Sequence, residues 1–233
     1  MPKLAIVAAL EREVSGLLRN CSRVEREFQG RNFIFFEQGE TVIVCGGIGM
    51  EAARRAAEAV IALYHPALVQ SVGFAGALHP SLHVGDVFSP AVVVDARDGS
   101  RVEIERGKGI LITFMTVADA DQKANLAQAY GAQAVDMEAA AVAAAARAHG
   151  IQFGATKVVS DELTFEMPET ARFINPQGQF RTTAFALFVV LRPWLWPRVA
   201  LLARNSNRAA RRLTGHLQSF RQHLSEVAEA KIT

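Results

Sequence analysis

The sequence predicts an α/β fold of three layers (α/β/α), in which a mixed, largely parallel central sheet lies between helices. Apolar segments of strand length alternate with amphipathic helical segments, as in "KLAIVAAL", "MEAARRAAEAVIALY" and "ALVQSVGFAGAL". Half of the 233 residues are hydrophobic and 21% are charged, which is typical of a globular chain with one sizeable core. After Phe165 the pattern becomes helical and arginine-rich. We therefore predict a core over residues 1–165 and a C-terminal helical extension of the same domain, a helical tail, over residues 166–233.

The predicted strands are apolar or β-branched runs that end at glycine or charged residues. Residues 3–10 form the first, and residues 32–47 form a hairpin that turns at Gly39 and Glu40. Further strands are predicted within residues 67–78, 84–96, 109–117 and 153–162.

Three helices are predicted between these strands from apolar positions that recur every three or four residues. They cover residues 50–64, residues 120–130 and the second half of residues 134–150, "AVDMEAAAVAAAARAHG". The residues that stop them are His65-Pro66, Gly131 and Gly150. The many alanines of the third helix predict close packing against the sheet, because small side chains allow a close approach.

The net charge of +2 is distributed unevenly. From Arg192 onward there are eight Lys or Arg and two Glu, a charge of +6, so the preceding residues sum to −4 (2 − 6). The simpler interpretation of the basic tail is a solvated helix face. The sharper one is a surface that contacts anionic lipid or nucleic acid. Of these two partners we expect no nucleic acid.

Cysteine and apolar patterns favour a reduced, cytoplasmic setting. Cys21 and Cys45 are the only cysteines, and no Cys/His spacing fits zinc, so no metal is expected. The N-terminal apolar run is too short for a signal peptide. The longest apolar stretch is broken by charged and proline residues, which predicts that it does not span a membrane. These residues are Arg192, Pro193, Pro197 and Arg198.

The segment "GGIGMEAA", residues 46–53, has the G-x-G-x-x-A outline of a dinucleotide site. It follows a hairpin instead of the first strand, and the next strand offers no acid for a ribose. A dinucleotide-dependent oxidoreductase is therefore a distant alternative, and a close strand–helix turn explains the glycines equally well.

Four other segments place chemical groups just beyond predicted strands, where α/β sheets bind ligands. Taken alone, each has a plain explanation. The acids Glu11 and Glu13 suit a first helical turn, and Ser160-Asp161 suits a helix N-cap. Residues 71–78 are a tight turn of small residues, and residues 136–138 place Met137 between two acids.

Taken in order, five segments resemble the nucleoside phosphorylase and nucleosidase superfamily: "IVAALEREV", "GGIGMEAA", "VGFAGALHPSLHVGDV", "AVDMEAAAVA" and "KVVSDE". The pattern is nearest to the methylthioadenosine/S-adenosylhomocysteine nucleosidases and covers residues 3–162. The resemblance implies cleavage of the N-ribosidic bond of an adenosine-type nucleoside, without a cofactor, in a homodimer.

The resemblance also implies roles for individual residues. Glu13 positions the attacking water, and Asp161, beside Ser160, protonates the leaving purine at N7. Glu138 binds the ribose hydroxyls while Met137 packs on the sugar. Asp136 is left open between a supporting partner and a plain first-turn acid. The chemistry agrees, because a purine anion leaves poorly and needs an acid, for which we expect apolar surroundings.

The remaining pocket residues implied by the resemblance form its walls. Phe74, Ala75 and Gly76 border the base and ribose, and Ile48 faces the substituent on the ribose 5′ carbon. Phe74 stands where the family usually has Ser or Thr, and residues 116–131 lack its phenylalanine-bearing adenine loop.

Three alternatives stay open at this stage. Phosphorylases of the superfamily hold phosphate with a Gly-Asp-Pro-x-Arg-type loop, where this chain has "ALEREV". The carboxylate of Glu13 disfavours phosphate, but Arg12 leaves phosphate possible as co-substrate. A nucleotide-binding or regulatory module without turnover is also compatible with the sequence.

The third alternative concerns the tail. The segment "LRPWLWPRVALLARNSNRAARRL" resembles the hopanoid-associated branch of the superfamily, which acts on the lipid-linked nucleoside adenosylhopane. A basic, amphipathic segment with Trp194 and Trp196 suits peripheral membrane contact. The same tryptophans could instead pack a helix on the core or fill a dimer interface.

Overall fold

The computed structural model describes residues 4–165, 170–175 and 177–230, with side chains described as far as Phe220. The predicted boundary between core and extension, at residues 165 and 166, lies at the edge of a segment outside the described residues.

Eleven strands in the described residues form one mixed sheet. The order of its main path is β2-β3-β4-β1-β5-β10-β9-β7-β8, while β11 pairs with β5 and β6. The strands are β1 Leu4–Ala8, β2 Ser22–Phe28, β3 Arg31–Gln38, β4 Thr41–Cys45, β5 Leu68–Ala77, β6 Val87–Phe88, β7 Val92–Asp95, β8 Arg101–Glu103, β9 Ile110–Thr113, β10 Ala134–Asp136 and β11 Gln152–Asp161.

The central strand β5 is parallel to both β1 and β11, and β10 pairs with it in the antiparallel sense near its end. Antiparallel hairpins lie at the outer parts of the sheet, such as β2–β3–β4 and β7–β8. The predicted mixed central sheet flanked by helices is confirmed. Short connections favour hairpins, whereas the parallel neighbours β9 and β10 are joined by a longer crossover that contains a helix.

Six α-helices flank the sheet in the described residues. They are α1 Glu11–Leu18, α2 Met50–Tyr64, α3 Ala120–Tyr130, α4 Ala139–Ala148, α5 Thr182–Val190 and α6 Trp196–Ala230. Short 3₁₀ turns cover Thr170–Phe173 and Pro193–Leu195.

Alternation along β1 shows how the three layers arise. Ala5 and Val7 pack in the cluster that contains α2 and α4, whereas Leu4, Ile6 and Ala8 pack in the cluster that contains α1 and α6. A strand that is buried on both faces needs helices on both sides, so the unbroken apolar run predicted this arrangement.

Helix α6 contributes directly to the second of these clusters. Its Ala209, Leu213 and Leu217 are fully buried, and Leu213 and Leu217 follow at helical spacing of four. This half of the tail therefore packs on the core. The division of the chain at residue 165 stays a prediction.

The first part of the tail presents apolar side chains outward. The large exposed ones here are Leu187, Val190, Leu191, Trp194, Trp196 and Leu201. Within the described residues, no single helix is long and apolar enough to cross a membrane. One pair of helical segments, Thr182–Val190 and Pro193–Phe220, is together long and apolar enough for a membrane span, but the two segments are bent by 110°.

Three strands, β2, β8 and β10, have no counterpart among the predicted strands. Strand β10 is buried but has only three residues. Strand β2 alternates in sequence but is largely exposed and charged, and β8 has only three residues. Edge strands of this kind lack the apolar run that identifies buried strands.

Candidate functional site

A cavity of about 440 Å³ opens where β1, β5, β10 and β11 end. The parallel strands β1, β5 and β11 place their carboxyl ends at the same edge of the sheet. Pairing of Val135 with Gly76 brings the end of β10 to the same place. This is the position where open α/β sheets bind ligands.

Glu13, in the first turn of α1, lies against the cavity and is only 6% exposed. Its Oε2 atom has no hydrogen-bond partner among the described residues. Burial, followed by the charge of Glu138, raises the pKa of Glu13 to about 7, although Lys157 and Arg12 oppose the shift. Glu13 is therefore a buried carboxyl group at the cavity wall, with one oxygen that no group in the described residues satisfies.

Glu138 occupies the N-cap position of α4 and also lines the cavity. Its Oε1 accepts a hydrogen bond from the Gly49 amide at 2.9 Å, and its Oε2 accepts one from the Met137 amide at 3.3 Å. Burial and the neighbouring Asp136 raise the pKa of Glu138 to about 7. Two carboxyl groups in this cavity thus change protonation near neutral pH.

The glycine segment before α2 helps to hold Glu138. Gly49 has a φ of 95°, a conformation that other residues rarely adopt, and in it the amide points at the carboxylate. The second glycine of "GIG", Gly49, therefore serves a side chain of this protein, and the Gly47 amide donates to the Ala9 carbonyl. This geometry removes the main support for a dinucleotide fingerprint.

Asp136, the last residue of β10, forms a buried ion pair with Lys157 of β11. The Nζ atom lies 2.8 Å from Oδ2, and both side chains are at most 1% exposed. Asp136 also accepts hydrogen bonds from the Thr113 hydroxyl at 2.6 Å and the Ala139 amide at 2.9 Å. Asp136 is therefore a structural anchor between two strands and the start of α4.

Lys157 supplies positive charge next to several carboxylates. Burial alone lowers the pKa of Lys157, but Asp136, Glu138 and Glu13 outweigh that effect and the pKa is raised. It also donates a hydrogen bond to the Ser71 hydroxyl at 3.1 Å. One permanent cation thus faces three acids.

Asp161 lies at the end of β11, just after a shift in strand register. Its Oδ1 accepts a 2.7 Å hydrogen bond from the Ser160 hydroxyl, and its Oδ2 contacts the Nζ of Lys123 at 2.5 Å. The structure corrects the expectation of apolar surroundings for Asp161, because an ammonium group from α3 lies directly against it.

The rest of the cavity wall is mainly apolar and comes from both the core and the tail. Its larger apolar members are Ile48, Phe74, Met137, Ile174, Phe180, Phe185, Val199 and Leu202. One side of the cavity therefore offers carboxylates and the other offers an apolar surface, as ligand pockets commonly do.

A family model described as the phosphorylase superfamily matches residues 3–111 and 110–190, which is most of the chain. The chain belongs to the phosphorylase superfamily. This confirms the family expected from the five ordered segments.

Individual relatives of this superfamily member bear names of nucleosidases. A 5′-methylthioadenosine/S-adenosylhomocysteine nucleosidase of Halalkalibacterium halodurans is 37% identical over an alignment of 93 positions that covers 37% of this chain. The match spans only 39% of that relative's length.

Solved structures share the fold of this phosphorylase-superfamily chain. The Arabidopsis thaliana 5′-methylthioadenosine nucleosidase has a TM-score of 0.72 at 18% identity, covering 94% of this chain and 95% of the other. A 5′-methylthioadenosine/S-adenosylhomocysteine nucleosidase from Colwellia psychrerythraea, in complex with adenine, has a TM-score of 0.62 at 23% identity. It covers 70% of this chain and 84% of that one.

In this superfamily member the residues singled out from the sequence all line the one cavity. They are Glu13, Ile48, Phe74, Ala75, Gly76, Met137, Glu138, Ser160 and Asp161. Glu11, the other acid of the first turn, is exposed and lines a neighbouring cleft instead. The geometry separates the two acids, while the chemical roles stay predictions.

Two plain explanations are wrong in this structure. Ser160 and Asp161 do not cap a helix, because both belong to β11. Asp136 is not in the first turn of α4, because it ends β10 and is paired with Lys157.

Lys123 and Lys157 were missed by the sequence reasoning. Lys157 interrupts an apolar strand, "GATKVVSD", and a lysine in a buried strand signals a buried acidic partner. Lys123 gives no such signal, because it lies in a helix of ordinary polar composition. Within the described residues, no group of three or more His, Cys, Asp or Glu side chains could hold a metal ion.

Proposed function

We propose that this chain cleaves the N-ribosidic bond of an adenosine-type nucleoside, such as methylthioadenosine or S-adenosylhomocysteine, by attack of water. One observation supports this most directly: Glu13 lines the cavity, and the buried Oε2 of its carboxyl group has no hydrogen-bond partner in the described residues. A buried acceptor of this kind is suited to hold a water molecule.

Each of the three acids of the cavity then has a separate role in the reaction. Cleavage of a ribosidic bond proceeds through an oxocarbenium-like transition state, by analogy with other glycosides. Glu13, as carboxylate, orients the water and takes its proton. Glu138 accepts hydrogen bonds from the ribose hydroxyls, which are strengthened by its charge. Asp161 faces N7 of the purine and passes a proton to it.

The walls fit the same arrangement. Met137 packs on the sugar, and Ser160 holds the carboxylate of Asp161 with its 2.7 Å hydrogen bond. Phe74, Ala75 and Gly76 border the base and the ribose, and Ile48 faces the 5′ substituent. No step of this reaction requires a cofactor.

Water is favoured over phosphate as the nucleophile by charge. A phosphate in place of the water would lie against the carboxylate of Glu13, which repels it. The guanidinium carbon of Arg12 lies 5.8 Å from the centre of the Phe180 ring. This cation therefore packs on an aromatic ring of the cavity wall.

The relatives lend support, because they are named as methylthioadenosine or methylthioadenosine/S-adenosylhomocysteine nucleosidases. One of the structural neighbours was solved in complex with adenine. These names motivate the choice of substrates for a direct test.

The test is release of free adenine from methylthioadenosine, S-adenosylhomocysteine and adenosine, with and without phosphate. Release without phosphate supports a hydrolase, and release that requires phosphate would replace water by phosphate as co-substrate. Asp161→Asn should remove turnover while the protein stays folded. Binding of the nucleosides without release of adenine would instead favour a module without turnover.

A lipid-linked nucleoside such as adenosylhopane is the second candidate, and the apolar wall from the tail favours it. Phe185, Val199 and Leu202 line the cavity, while Leu187 and Trp194 of the same segment are more than 60% exposed. A substrate with a long apolar 5′ group would fit a site of this kind. Selective turnover of an adenosine with a 5′-alkyl chain would support this candidate, and equal or lower activity than with methylthioadenosine would exclude it.

Peripheral membrane contact through the tail is proposed on the same surface. Exposed Trp194 and Trp196 with Arg192 and Arg198 nearby form the mixture of apolar and basic groups that binds anionic bilayers. Co-sedimentation with phosphatidylserine vesicles, lost in Trp194→Ser, would support it. A homodimer, measurable by analytical ultracentrifugation, and a cytoplasmic location also stay predictions.

A further inference from the structure

We infer that Lys123 is a positioning residue that supplies, through Asp161, the proton taken up by the leaving purine. The inference rests on the proposed function and deepens it. It replaces a lone carboxylic acid by a lysine–aspartate pair as the acid of the reaction.

The contacts of Lys123 place its ammonium group at the end of β11. Its Nζ lies 2.5 Å from Oδ2 of Asp161 and 2.8 Å from the carbonyl oxygen of Glu162. Side-chain exposure is 2% for Lys123 and 6% for Asp161, and both residues line the cavity. Burial of an unpaired ammonium group costs folding free energy. The pairing with Asp161 is therefore what allows Lys123 to be buried at this site.

The start of α3 fixes the direction from which Lys123 approaches. Asp119 and Gln122 form a reciprocal capping box, and the Lys123 amide donates to the Asp119 carbonyl at 2.9 Å. On the same side of the helix, Leu126 packs in a core cluster beside β10. The helix is thereby anchored so that the lysine reaches across to β11.

Gly76 of β5 leaves the space that the pair occupies. A Cβ atom added at Gly76 would lie 2.9 Å from Oδ2 of Asp161 and 3.2 Å from Cε of Lys123. The absence of a side chain at this position lets the ion pair lie against the strand, at the base end of the site proposed above.

The charge of Lys123 decides how the proton must move. Asp161 accepts hydrogen bonds on both oxygens, from the Ser160 hydroxyl and from the Lys123 ammonium, so in this arrangement neither oxygen donates a proton. As the ribosyl C1′–N9 bond breaks, its electron pair passes to the purine. Asp161 takes a proton from Lys123 Nζ and passes it to N7, so an Nζ–H bond breaks and an N7–H bond forms. Asp161 is a carboxylate before and after, and the neutral Lys123 regains a proton from solvent after release.

The first test compares Lys123→Met and Lys123→Arg in the full chain, with adenine release from methylthioadenosine as the assay. Arginine keeps the charge beside Asp161 but does not give up its proton, so both variants should lose about 100-fold or more in kcat. Lys108→Met, at an exposed lysine, is the matched control and should keep wild-type activity. Lys123→Arg with a rate within about 3-fold of wild type would overturn the inference.

The second test changes the leaving group. 4-Nitrophenyl riboside departs as a stable anion that needs no proton, so Lys123→Met should lose less than about 5-fold on it while losing about 100-fold on methylthioadenosine. An equal loss on both substrates would show a merely structural role and overturn the inference. Folding of each variant is checked by circular dichroism and thermal melting. If the wild type itself releases no adenine, the proposed function fails, which is distinct from failure of the lysine variants to differ.

Discussion

Lys157 and Asp136 form an ion pair inside the protein, with Nζ 2.8 Å from Oδ2 and both side chains at most 1% exposed. Glu13 and Glu138 face the same lysine, and each affects its pKa. Because Asp136 already matches its single positive charge, the other two acids are under-compensated. Burial is the main cause that raises the pKa of each of these two acids, and this charge imbalance adds to it.

The first prediction is a loss of activity on acidification near neutral pH. Glu13 must be a carboxylate to orient water, and its pKa is raised to about 7, so kcat/KM for methylthioadenosine should rise with pH through about 7. The measured limb belongs to the interacting pair Glu13 and Glu138. Glu11→Gln, at an exposed neighbour, should leave the limb in place. A wild-type limb near pH 4 to 5 would contradict the assignment.

The second prediction concerns stability and has a definite sign. The folded-state pKa of Glu13 is raised above 4.5, so the folded protein binds this proton more tightly than the unfolded chain does. Stability from this group is present below about pH 4.5 and is lost as the pH rises to about 7. Glu13→Gln should therefore raise the free energy of unfolding by about 3 kcal/mol at pH 8 and change it little at pH 4.5. Urea unfolding at the two pH values measures this, and a variant less stable than wild type at pH 8 would refute it.

The third prediction tests the buried ion pair. Lys157→Met leaves the carboxylate of Asp136 buried without its cation, which should cost about 3 to 5 kcal/mol of unfolding free energy. Adding Asp136→Asn in the same chain should recover part of the loss, because no unpaired charge then remains. Arg54→Met, which breaks the exposed pair with Glu51, should cost less than about 1 kcal/mol. Denaturant titrations of the wild type, the two single variants and the double variant measure these free energies. Equal costs for Lys157→Met and Arg54→Met would show that burial gives the Lys157–Asp136 pair no special role.

The fourth prediction separates space from stability at Gly76. In Gly76→Ala the new methyl group meets the flexible ends of Asp161 and Lys123, which can shift. We expect a fall in kcat of more than about 10-fold, since a misplacement of about 1 Å can cost 100-fold, with little loss of melting temperature. Gly154→Ala on β11 is the matched control, because its nearest atoms lie at 3.7 Å. Unchanged kcat in Gly76→Ala would show that the pair tolerates displacement.

Much of the fold could be predicted from the sequence, because burial on one face of a strand or helix makes apolar residues recur at a regular spacing. The apolar run of β1 and the helical spacing of α2 each reflect contacts with a layer on one or both sides. The predicted helix over residues 50–64 has those bounds in the structure, and the hairpin turns where Gly39 and Glu40 predicted it. The edge strands β2 and β8 escaped prediction because exposure removes that period.

The residues of the candidate site could be singled out only as an ordered set. Acids at the starts of helices and small residues at the ends of strands have plain local explanations, and these explain each segment alone. The order of the segments along the chain gave the resemblance to a family. The structure then showed that Glu13, Glu138 and Asp161 line one cavity.

The sequence by itself determined the layers, the helices and the family of this protein, since these depend on patterns within segments. Only the tertiary structure decided which charges meet. Lys123 reaches Asp161 across 38 residues, and Lys157 of β11 reaches Asp136 of β10, although β5 lies between these strands in the sheet. Such pairs depend on the order of the strands and on the space left by residues such as Gly76. Neither of these produces a regular spacing of residues in the sequence. The physical reason is that an ion pair is fixed by distance in space, whereas a strand or a helix is fixed by spacing along the sequence.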